Sequence, residues 1–245
     1  MNEFSYADAA VPVRGDLPAA YRRAWRRLAA PGTWWTGAER VAIAAEVRQA
    51  ARCRLCQQRK LALSPELVDG SHESVGKLPA AAVEVIHRVV SEPARLTRSW
   101  FDKQLASRLT DAQYVEIIGV VVSVISIDAF QRGLGLPPEP LPEPLPGEPS
   151  RRRPAGARAE GAWVPMIAEN RATGEESDLY VKGRIANVLR ALSLVPEEVR
   201  GLRDLSAAQY LSPDQLVDLR AGRALDRAQM ELLAGRVSAL NECFY

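Results

Sequence analysis

Three cysteines carry the most versatile chemistry in the chain: Cys53 and Cys56, spaced as C-x-x-C, and Cys243, close to Tyr245. Two sulfurs three residues apart on a helix share one face, near enough to cycle between dithiol and disulfide. Arg52, Arg54, Arg59 and Lys60 surround the pair with positive charge. That charge favours the thiolate, the form that attacks a peroxide or a disulfide. Plain packing is the alternative reading, and half of a metal site is a third. Zinc is disfavoured by spacing, because no second C-x-x-C or paired histidines stand at finger separation. The chain has two histidines. His87 follows Glu84 by one helical turn, an arrangement that could tune its pKa for proton transfer, against the alternative of a satisfied, partly buried ring. His72 lies in a polar loop and reads as a surface residue.

The elements that must position these groups read as helices. Leu17 to Ala30 is arginine-rich and amphipathic and ends at Pro31-Gly32; a longer helix runs from Ala38 to about Leu63 and carries the C-x-x-C near its end. Pro79 to Ser91 and Pro93 to Leu109 give two more. Thr110 is a good N-cap for the apolar helix that follows, with Asp111 suited to its dipole. The apolar run Ile117 to Ile127 is shorter than the roughly 20 residues that cross a bilayer, so it reads as a buried helix. Leu136 to Glu160 is proline-rich and favours an extended spacer. Downstream, Leu179 to Leu194 reads as helical, Pro196 opens a helix, Ser212-Pro213-Asp214 caps another, and Asp226 to Asn241 forms the last. No useful strand alternation appears, so the expected fold class is all-α.

The segment RALDRAQMELLAGRVSALNECFY resembles the signature helix of the alkylhydroperoxidase D (AhpD)/carboxymuconolactone decarboxylase superfamily. That signature is a glutamate, eleven residues, C-x-x-C, and a histidine four positions beyond the second cysteine. Glu231 stands twelve positions before Cys243 and matches. The second cysteine of the pattern would fall immediately after Tyr245. A UGA codon there, read through as selenocysteine, would complete the centre; a shortened or genuine end at Tyr245 is the alternative. TGAERVAIAAEVRQAARCRLCQQRK resembles the same helix and keeps both thiols. It has Val41 where the family has glutamate and Lys60 where it has histidine. The resemblance implies two tandem AhpD-like modules, residues 1–136 and 161–245, joined by a linker at 137–160.

In the family, the glutamate and histidine relay the proton that makes the thiol a nucleophile, so a replacement is needed in the first module. Glu46, seven residues before Cys53, is one candidate, with a solvent-facing or salt-bridged carboxylate as the ordinary reading. Glu116 is another if buried beside Cys53; its ordinary reading is interaction with a helix N-terminus. The expected function is a thiol-dependent peroxidase using Cys53, Cys56, Cys243, Glu231, His87 and Glu116. Its partners would be a hydroperoxide and a lipoyl or thioredoxin-like reductant. No cofactor or metal is expected beyond the selenocysteine.

A lactone-decarboxylase-like acid-base enzyme and a non-catalytic helical oligomerisation protein with decayed sites are the alternatives. Family packing implies a homo-oligomer.

Composition constrains the rest. With 245 residues and 47% hydrophobic content, the chain can bury one sizeable core or two smaller ones. A net charge of +2 gives no global signature for nucleic acid or membrane, and Arg151-Arg152-Arg153 is too small a patch to bind nucleic acid. Trp34, Trp35, Trp100 and Trp163 read as core or interface anchors. The opening residues lack a secretory pattern, so a cytoplasmic location is expected. No nucleotide-binding, serine-hydrolase or zincin motif occurs.

Overall fold

The computed structural model describes residues 4–180, 186–212, 215–216, 218–220, 222–241 and 243. The α-helices with both ends among the described residues are α1 (Asp16–Ala29), α2 (Gly37–Ala50), α3 (Arg54–Leu61), α4 (Ala80–Ser91), α5 (Arg98–Ala106), α6 (Asp111–Gly133), α7 (Asn187–Arg190), α8 (Pro196–Gln209) and α9 (Arg227–Leu240). The strands among the described residues are two-residue pieces, Ala157–Arg158 paired antiparallel with Met166–Ile167. The fold is therefore mostly helical, as expected from the sequence.

Local sequence explains where several helices begin. Thr36 and Glu39 form a reciprocal capping box at α2, Thr110 and Gln113 do so at α6, and Asp226 and Gln229 at α9. Pro196 sits in the first turn of α8, where a missing N–H costs nothing. α1 buries Leu17, Ala20, Tyr21, Ala24, Trp25 and Leu28, a three-to-four-residue stripe that makes one face apolar.

Two expectations fail locally. The single helix expected over 38–63 is broken: Ala51-Arg52 forms a turn, and Cys53, with φ −67° and ψ 123°, is extended and becomes the N-cap of α3. Continuous helical propensity was the wrong guide there, because the broken backbone turns both sulfurs inward. In 179–194 the α-helix among the described residues is Asn187–Arg190, with Leu179, Tyr180, Ala186 and Ala191–Leu194 outside it, and residues 181–185 lie outside the described residues. The cap read at Ser212-Pro213-Asp214 also falls partly outside them.

The core is organised around α6. α2 and α4 pack on it from one side and α8 from another, and α1 bridges α2 and α8. Ile117, Val120, Val121, Val124 and Ile127 of α6 are buried there, each removal from water stabilising by roughly 1.5–3 kcal/mol. By length and apolarity α6 could cross a membrane, yet it is a packed core helix. Leu205 and Ala208 of α8 join the same cluster as α1 and α6, and Phe101, Ala112 and Val115 join Val164, Ile167 and Leu194 in a second. The proline-rich stretch lies against this body: Trp25 donates its indole N–H to the Pro140 carbonyl at 2.9 Å, and the Leu145 amide donates to the Ala29 carbonyl at 2.8 Å.

Glu116 is not beside Cys53. Its carboxylate meets Arg40, which also holds Glu198 of α8 at 2.8 Å, and it accepts the Trp34 amide at 2.6 Å. Burial is the main force raising its pKa, opposed by Arg40. A Cβ at Gly32 would collide with the Glu116 carboxylate and one at Gly119 with Glu198, so these glycines make room for the triad. Glu116 thus ties α2, α6 and α8 together, and the relay role considered for it has no geometric support.

Candidate functional site

The break between α2 and α3 places Cys53 at a helix start and Cys56 in its first turn. Both sulfurs are buried, and neither is in a disulfide. Two histidines from separate elements approach them. His87 of α4 brings Nδ1 to 3.1 Å from Cys56 Sγ, and His72 brings Nδ1 to 3.5 Å from Cys56 Sγ and 3.7 Å from Cys53 Sγ. The four donor atoms lie within 4.8 Å of one another. His72 therefore belongs to the site and is not the surface residue expected from its polar loop. Its sequence distance from the cysteines, 16 and 19 positions, matches no motif.

Each ring is held from behind by a carboxylate. His87 Nε2 lies 2.7 Å from Glu46 Oε1, and both groups are buried. The other Glu46 oxygen accepts the Ser74 hydroxyl at 3.0 Å and the Val75 amide at 3.1 Å. His72 Nε2 lies 2.8 Å from Glu84 Oε2. Glu84 also accepts the Trp100 indole N–H at 3.1 Å and faces Arg59 at 3.3 Å. An ionised carboxylate only accepts, so in a neutral ring it fixes the proton on Nε2 and turns the Nδ1 lone pair toward sulfur, while a protonated ring donates from both nitrogens. Helix spacing paired His87 with Glu84. The fold instead pairs His87 with Glu46 across α2 and α4, and gives Glu84 to His72.

These environments separate the two thiols. Burial opposes ionisation of Cys53, but the amides of Cys56 and Glu73, with His72, hold its pKa below the ordinary thiol value. Burial, reinforced by neighbouring Cys53, pushes Cys56 up to about 12. Burial lowers the pKa of His87 against the pull of Glu46. For His72 burial also acts downward, but Glu84 and Cys53 together outweigh it and the pKa is raised. Glu84 sits at about 2: burial works against ionisation, while His72, Trp100 and Arg59 favour it. Of the flanking cations, Arg59 reaches the site, whereas Arg54 pairs outward with Glu73.

A groove of about 1150 Å³ opens beside the cluster, with Arg59, His72, Glu84 and Trp100 in its wall. His72 thus stands between the sulfurs and the groove.

The third thiol sits in a different setting. Cys243 is exposed, and no residue of α9 is buried. Glu231 accepts the Tyr210 hydroxyl at 2.6 Å and pairs with Arg227 at 2.7 Å. Comparison with protein families, curated proteins and solved structures finds no match for this chain.

Proposed function

We propose that the chain is a thiol-dependent, peroxidase-like redox protein whose working pair is Cys53 and Cys56. One observation supports this above the others: each sulfur is within reach of an imidazole whose proton is oriented by a carboxylate, the arrangement general acid-base chemistry at a thiol requires. Cys53 at the start of α3 is the attacking thiolate. Its sulfur, having given its proton to His72, attacks the terminal oxygen of a hydroperoxide, the O–O bond breaks, and the leaving alkoxide takes that proton back from His72 to give an alcohol and a Cys53 sulfenic acid. Cys56 gives its proton to His87 Nδ1 and attacks the Cys53 sulfur; the hydroxyl leaves as water and a disulfide forms. Two thiols are oxidised and one peroxide is reduced. A dithiol reductant restores the pair by exchange. Substrate approaches from the groove, past His72.

Glu46 and His87 take the place of the glutamate and histidine that the AhpD resemblance lacks at Val41 and Lys60. The division into two AhpD-like modules belongs to the same reading, with Glu231 and Cys243 as the remains of the second centre.

The test is consumption of tert-butyl hydroperoxide by the reduced protein with dithiothreitol, followed by peptide mapping. Turnover with a Cys53–Cys56 disulfide is expected, lost in C53S and C56S and kept in C243S. Turnover untouched by C53S, or the absence of that disulfide, overturns the reading.

A further inference from the structure

We propose that Cys53, Cys56, His72 and His87 form a tetrahedral site for a zinc-type divalent cation in the reduced protein, with Glu46 and Glu84 as its outer carboxylates. The proposal shares its two thiols with the redox reading but stands on different geometry. Zn–S and Zn–N bonds of about 2.3 and 2.0–2.1 Å at tetrahedral angles imply S···N edges of about 3.6 Å. The measured separations are 3.1, 3.5 and 3.7 Å. All four donors lie within 4.8 Å of one another, so the widest pair closes to a tetrahedral edge by a shift of about an ångström.

The second shell adds an independent argument. A thiol–imidazole hydrogen bond needs one ring, but here two rings present Nδ1 to the same pair of sulfurs, and each is anchored at Nε2 by a carboxylate. Carboxylate–histidine–metal chains of this kind set the tautomer and raise the basicity of a ligating imidazole. Both carboxylates are themselves held, Glu46 by Ser74 and the Val75 amide and Glu84 by Trp100 and Arg59. Two thiolates neutralise the charge of a divalent ion, and a set of two sulfurs and two imidazoles suits zinc rather than calcium or magnesium. Four protein ligands leave no position for substrate, so the ion would organise the site and hold the thiols in reserve. The groove against His72 supplies an entry path.

Sequence spacing argued against zinc because the ligands do not lie at finger separation. They come instead from the α3 N-terminus, the loop before α4, and α4 itself. If the thiols are redox-active, oxidation expels the ion: Zn(II) with two thiolates, a hydroperoxide and two protons gives the disulfide, an alcohol, water and free Zn(II).

The experiment loads the reduced, chelator-treated full chain with Zn(II) or Co(II). About one ion per chain should remain after dialysis, and Co(II) should show thiolate charge-transfer and intense tetrahedral bands. C53S and H87A should lose these bands and C243S keep them. E84Q, which retains the four ligands, should bind about 10–100-fold more weakly in competition with a chromophoric chelator. Circular dichroism in the apo state identifies any variant that fails to fold, and E84Q then carries the test. Absence of bound metal, or bands that survive C53S, overturns the site. A Cys53–Cys56 disulfide formed by a protein that binds no metal leaves the redox reading standing. Metal binding without peroxide-driven disulfide or release leaves the site standing and removes the redox reading.

Discussion

The chain keeps its thiols in two contrasting surroundings. Around Cys53 and Cys56, four elements enclose two imidazoles and two carboxylates; at Cys243, a well-capped helix runs along the outside of the molecule with Leu232, Leu233, Val237 and Leu240 exposed. Capping and helix propensity suffice to start α9, but they bury none of its residues. A thiol becomes chemically distinctive when separate segments converge on it, because desolvation and fixed dipoles are what shift its ionisation.

The largest contrast should come from removing the carboxylates. Glu46→Ala strands the buried His87 N–H and takes the acceptor from the exposed Ser74 hydroxyl and Val75 amide, and should cost about 1–3 kcal/mol, whereas exposed Glu231→Ala should cost under about 0.5 kcal/mol. Urea denaturation of the two variants measures the difference, and equal losses would erase the distinction between the regions.

Labelling gives the next largest effect. With iodoacetamide under native conditions, Cys243 should react at least about 100-fold faster than Cys53 or Cys56, which a reagent reaches only past His72 or on opening of the structure. Mass spectrometry of timed digests would show it, and comparable rates at all three thiols would contradict the burial.

Acid sharpens the comparison further. The pKa of Glu84 is lowered from 4.5 to about 2 on folding, so its contribution is complete above about pH 4.5 and is lost as pH falls toward 2. Glu84→Gln should flatten the stability profile over that interval, and Glu231→Gln should leave it unchanged. An unaltered slope in the Glu84 variant would show that other carboxylates govern the acid limb.

The smallest effect is expected from shortening. Ending the chain after Gly222 removes a helix with no buried residue and should change stability by less than about 1 kcal/mol. A larger loss in thermal melting would reveal packing of α9 that its exposure does not suggest.

How much of this was legible in the residues varies with the range of the forces involved. Thr110 as a cap, Pro196 at a helix start and the buried run of α6 are set by nearest neighbours and by hydrophobic periodicity, which a linear reading contains. The C-x-x-C marked the centre, and Glu46 and His87 were already candidates within it. His72 was missed because a histidine in a polar loop has no periodicity to give away its direction. Glu116 was misjudged because its burial beside Arg40 depends on α8, far along the chain.

By itself, then, the order of amino acids determined a mostly helical protein with a pair of thiols near residue 53, since capping, amphipathicity and residue type act over a few positions. Only the tertiary structure decided which acid serves which histidine, and that both rings turn toward the same sulfurs. Those pairings join α2 to α4 and a loop to α4 through contacts that no local interaction encodes.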